Sequence, residues 1–76
     1  FVYRIKALES GSYAITVTGN AQLSWWGTDE ANLTDMTTDK LYDAETKTLT
    51  VTLDAGKTGL IGLEGTTSCT VTIQKK

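Results

Sequence analysis

The sequence predicts an all-β fold, a small antiparallel β-sandwich of about seven short strands with a jelly-roll-like build, and three observations carry it. Threonine fills fifteen of the 76 positions, and with Val, Ile and Tyr it suits the half-buried pleated surface of a sheet. Several segments alternate apolar and polar residues with period two, while helical spacing extends over no useful length. Turn residues recur roughly every ten positions. A partly open barrel is the alternative architecture.

The elements follow in order. Phe1 to Leu8 sets Phe1, Tyr3, Ile5 and Ala7 against Arg4 and Lys6 and reads as the first strand. After Glu9-Ser10-Gly11, Tyr13, Ile15 and Val17 share one face of a second. Gly19-Asn20 marks a turn before the third, Ala21 to Trp26. A strict two-residue hairpin there would pair Val17 with Gln22 and bring a dry face beside a wet one; a three-residue loop with a bulge, or strands in different sheets, removes the conflict. Thr28 to Thr38 is apolar only at Ala31, Leu33 and Met36 and reads as loop. Leu41-Tyr42-Asp43 is a short strand before a turn at residues 44–46. Thr48 to Leu53 alternates cleanly, Thr58 to Leu63 is apolar on both faces, and Cys69 to Ile73 repeats the alternation. The expected core is Tyr3, Ile5, Ile15, Val17, Leu23, Leu49, Val51, Leu53, Ile61, Leu63, Val71 and Ile73, with Cys69 beside it.

Length allows one domain, residues 1–76, near the size at which a lone core becomes marginal. Apolar runs never exceed three residues, so no membrane-spanning helix is read. The formal charge is −2 and the bases are scattered, which speaks against nucleic acid and anionic lipid. Histidine is absent, and with it the common general base near neutral pH and the imidazole metal ligand. A chain this short has no room for a deep cleft that would raise a carboxyl pKa, so no catalytic residue is assigned and no enzyme is expected.

Other strings carry little chemistry. Gly56-Lys57-Thr58 lacks the preceding glycine and following helix of a phosphate loop. Gly56, Gly59, Gly62 and Gly65 recur every three residues without the proline of collagen, and read as turn and strand-irregularity glycines. Asn32-Leu33-Thr34 fits a glycosylation sequon. From Gly27 to Glu45 six acids stand against one base. Calcium on Asp29, Asp35 and Asp39 competes with a solvated loop as the reading of this patch; with no EF-hand spacing the loop is preferred, and no metal or cofactor is expected.

Trp25-Trp26 asks for a functional account. Neighbours on a strand point to opposite faces, so Trp25 inside with Leu23 leaves Trp26 outside with Ser24 and Gln22; the two-residue hairpin would exchange the pair. An exposed indole on a rigid sheet is a flat amphipathic platform for a sugar ring, with hydroxyls meeting uncharged partners at Gln22 and Ser24. Tyr42 is a second candidate platform.

The Trp-Trp strand, the threonine-rich faces, and the closing pattern Leu49-Thr50-Val51-Thr52-Leu53-Asp54-Ala55-Gly56 then Thr70-Val71-Thr72-Ile73 resemble small β-sandwich carbohydrate-binding modules of bacterial plant-cell-wall-degrading enzymes, cellulosomal ones included. The resemblance implies a secreted, monomeric, non-catalytic module that holds a covalently linked glycoside hydrolase on a neutral β-linked polysaccharide such as β-glucan, xyloglucan or mannan. Trp25, Trp26 and Tyr42 match the aromatic role. The competing expectations are a structural or adhesive spacer domain, with both tryptophans as core, and a protein-recognition module that uses the indole as an anchor.

Overall fold

The computed structural model describes residues 2–65 and 68–76; Phe1, placed by its alternation in the first strand, lies outside them. Seven strands form: β1 (Val2–Lys6), β2 (Gly11–Thr18), β3 (Ala21–Trp25), β4 (Tyr42–Asp43), β5 (Thr48–Leu53), β6 (Thr58–Gly65) and β7 (Thr70–Lys75). They build two antiparallel sheets, one ordered β1-β6-β3 and the other β4-β5-β2-β7. The expected all-β sandwich is what the chain adopts. β2 and β3 lie in different sheets, which resolves the conflict at Gly19-Asn20: Gly19 takes a positive φ of 92° and the chain crosses from one layer to the other.

Only β4 and β5 are consecutive strands paired in one sheet. The structure shares with a jelly roll its pair of antiparallel sheets and its sheet-crossing connections. Its strand order is that of an immunoglobulin-type sandwich in which the first and last strands have exchanged places, β1 lying beside β6 and β7 beside β2.

Inward-facing positions fill the space between the layers: Ile15 and Val17 on β2, Leu23 and Trp25 on β3, Leu49, Val51 and Leu53 on β5, Ile61 and Leu63 on β6, together with Ala7. Cys69 and Ile5 pack half-buried against this cluster. Three expected core residues are not core. Tyr3, Val71 (36% exposed) and Ile73 (46% exposed) point inward by register, yet remain open to solvent. β7 is a border strand of its sheet, and Ile73 lines a hollow of about 240 Å³ with Ile5, Ala7, Tyr13 and Leu53 that the opposing layer does not fill. Leu60, which the alternation gave no place in the core, is 1% exposed on the outer face of the three-stranded sheet.

Candidate functional site

The two tryptophans are explained by two glycines. Trp25 pairs with Ile61 and faces inward, 8% exposed, with its six-membered ring over Gly59; a Cβ there would lie 2.9 Å from Trp25 Cη2 and Cζ3. Trp26 continues the strand onto the opposite face, its N–H donating to the Leu60 carbonyl at 2.9 Å. Its indole rests on Gly62, where a Cβ would fall 2.2 Å from Nε1. Adjacent residues on β3 take opposite faces, and so do residues three apart on β6. The sequence showed the three-residue glycine spacing; its purpose, a bare patch of backbone under each indole, needs the register.

Trp26 is half-buried, and its Nε1 is enclosed with no hydrogen-bond partner. Beside it lies a hollow of about 330 Å³ lined by Trp25, Trp26, Gly27, Asp29, Asn32 and Met36, among others. The long loop after β3 forms the other wall. Met36 N–H donates to the Trp25 carbonyl at 2.7 Å and the Thr37 hydroxyl accepts from Trp25 N–H at 2.8 Å, so the loop returns to occupy the open edge of β3. Further along, Glu30 pairs with Arg4 of β1. The loop is thus tied to β3 on one side and to β1 on the other, with the buried Leu60 on the strand between them.

Two of the loop's acids, Asp29 and Asp35, serve the loop itself. Asp29 accepts from Ala31 N–H at 2.9 Å and from the Asn32 side-chain amide at 3.1 Å. Asp35 accepts from both the hydroxyl (2.6 Å) and the N–H (2.9 Å) of Thr37. These bonds favour the charged carboxylates: the Asn32 amide first and the Ala31 N–H second hold Asp29 below its ordinary pKa, and the Thr37 hydroxyl and N–H do the same for Asp35. The Arg4 guanidinium is pushed up, chiefly by its hydrogen bond to Glu30 and then by that group's charge. Among the described residues no three Cys, Asp or Glu side chains converge as metal ligands.

Gln22 and Ser24 precede Trp26 on the same outward face of β3, Gln22 exposed and Ser24 half-buried. Tyr42 lies on the other sheet, opposite Leu49 and so turned inward, half-buried against the core; a second hollow of about 510 Å³ brings it together with Gln22, Lys47 and Glu64. The sequence-predicted residues thus divide. Gln22, Ser24 and Trp26 form one row, Tyr42 meets its Gln22 end, and Trp25 stands behind the row within the core. Gly62, Met36 and the Arg4–Glu30 pair, which shape the Trp26 end, were not singled out by sequence; only the glycine spacing signalled any of them. Comparison with family models, curated proteins and solved structures found no match for the chain.

Proposed function

We propose that the chain is a non-catalytic module that binds a neutral β-linked polysaccharide along the outer face of β3, and that it serves an attached glycoside hydrolase outside a bacterial cell. The observation that supports this reading is the row itself. A tryptophan backed by rigid backbone at Gly62 stands in line with the uncharged side chains Ser24 and Gln22, and a tyrosine meets the far end. Between Gln22 and Trp26 the strand advances about 14 Å at about 3.4 Å per residue, a shallow strip suited to an extended chain. Stacking on an aromatic face and hydrogen bonds to neutral groups carry such binding.

Affinity electrophoresis against soluble β-glucan, xyloglucan, mannan, xylan and pectin tests it. Retardation by a neutral chain is expected, unchanged between low and moderate salt, since no ion pair is involved. Trp26→Ala should weaken binding at least about tenfold, roughly 1.4 kcal/mol, with Tyr42→Ala weakening long chains more than short ones. A Trp26→Ala variant that folds and binds as tightly as its parent would refute the assignment.

The second reading is the spacer. The enclosed Nε1 favours it, because a half-buried Trp26 whose polar atom is shut away is a packing residue rather than an open platform. No retained glycan, together with Trp fluorescence that quenchers fail to reach, would select it.

A further inference from the structure

Among the described residues the border strand β7 leaves both an exposed apolar strip, Val71 and Ile73, and an unpaired backbone edge. Strand order places β7 at the border of its sheet, and every residue from Thr70 to Lys75 is exposed. Lys76 N–H donates to the Ser12 carbonyl at 2.8 Å. Antiparallel ladders alternate, so Thr70, Thr72 and Gln74 also turn their backbone groups toward β2, while Val71, Ile73 and Lys75 turn theirs to the free edge. Such an edge is a template for another strand.

We propose that this edge pairs with the β7 of a second copy, antiparallel about a two-fold axis at Thr72, joining two four-stranded sheets into one of eight. The strand is self-complementary in that register. Val71 faces the partner's Ile73 and exchanges both backbone hydrogen bonds with it, and the symmetric pair does likewise. These side chains lie on the inner face and are exposed in the single chain, so the two strips shelter each other. On the outer face Thr72 meets the partner's Thr72, and Thr70 meets the partner's Gln74, polar pairs of the kind that stabilise sheets. A centre at Ile73 would oppose Val71 to the partner's Lys75, and one at Val71 would carry Gln74 and Lys75 beyond the paired strand. With the axis at Thr72 the lysines sit at the two ends of the ladder, apart from each other, and Lys75 already has Glu9 at 3.6 Å. The formal charge of −2 opposes association only weakly. The dimer replaces the monomer that the sequence suggested, and it is independent of the glycan reading, which uses β3 and, at the opposite border of this sheet, Tyr42 of β4.

Sedimentation velocity of the full chain across roughly 10 μM to 1 mM, the span of weak association, should show a reversible monomer–dimer equilibrium. In a Cys69→Ser background, Thr72→Cys should form an intermolecular disulfide under air, since the Cα atoms of a non-hydrogen-bonded pair lie about 4.5 Å apart. Thr70→Cys, facing the partner's Gln74, should not. Val71→Lys with Ile73→Lys should abolish the dimer, and Val71→Glu with Ile73→Lys should restore it by setting opposite charges across the axis. Should the lysine variants unfold, the cysteine pair on the exposed outer face decides alone. The proposal is overturned by a chain monomeric throughout whose Thr72→Cys links no faster than Thr70→Cys. A dimer that survives both lysines, or capture of a foreign extended peptide by a chain that stays monomeric, overturns it equally.

Discussion

Trp25 and Trp26 are chemically identical neighbours, and the pleat alone separates them into a core residue and a surface one. Each leans on a glycine of β6, so those glycines are the sensitive positions. Gly62→Ala would drive a methyl group into the Trp26 indole, with 2.2 Å available at Nε1. The ring must move outward, at a cost of about 1–3 kcal/mol for overpacking. Acrylamide quenching is expected to rise in that variant while the fold persists; unchanged quenching would mean that the indole does not rest there. Trp25→Ala instead empties a core site and should cost roughly 3–5 kcal/mol in urea denaturation. The sequence yields the opposite facing of the pair, because strand period is local. It hides which faces are covered, because covering is done by residues far along the chain.

At the scale of elements, the loop after β3 is the least legible part. Its sparse apolar residues correctly deny it a helix, but nothing local to Met36 and Thr37 shows that they return to the edge of β3. Two hydrogen bonds do this work, and Thr37 is held in turn by Asp35. Thr37→Val should cost about 1 kcal/mol through the lost hydroxyl bond and free the loop. Acid should act similarly. Asp29 and Asp35 titrate below their unfolded values, so the stability they contribute is present above about pH 3.9 and is lost as pH falls through the folded values. Both carboxylates are at the surface, so the effect is one of loop order rather than global unfolding. Trp fluorescence is expected to change below about pH 4, and less in Asp35→Ala; a profile indifferent to that substitution would show that the carboxylate does not anchor the loop. The β4–β5 turn holds a different kind of strain. Lys47 has a φ of 53°, a left-handed conformation, while its Nζ bonds the Gly19 carbonyl at 2.6 Å. Lys47→Gly relieves about 1 kcal/mol of backbone strain and gives up an exposed bond, so thermal melting should rise slightly.

For the molecule as a whole, composition and alternation were enough to count the strands, and they failed at the border strand β7. Val71 and Ile73 have the same local pattern as Val51 and Leu53, yet only the latter, on an inner strand of the sheet, are buried. The number of strands in each sheet is a property of pairing, and pairing here is almost entirely distant: β1 with β6, β2 with β7. Closing such long loops before any contact rewards them slows folding. Stopped-flow refolding on the scale of roughly milliseconds to seconds is expected; microsecond relaxation would contradict the topology. The same pairings fix how the domain would carry a pull. β1 and β7 run in the same direction in opposite layers, so Val2 lies at the Gly19-Asn20 end and Lys75 at the other. Tension applied through these two points drags each strand lengthwise past its neighbour, loading a whole ladder at once. Tension between Val2 and Glu64, which lie near one end of the β1–β6 pair, would open that ladder one rung at a time. A domain clipped into a stretched chain by its two outer strands is thus gripped in shear, the geometry in which a few short strands resist longest.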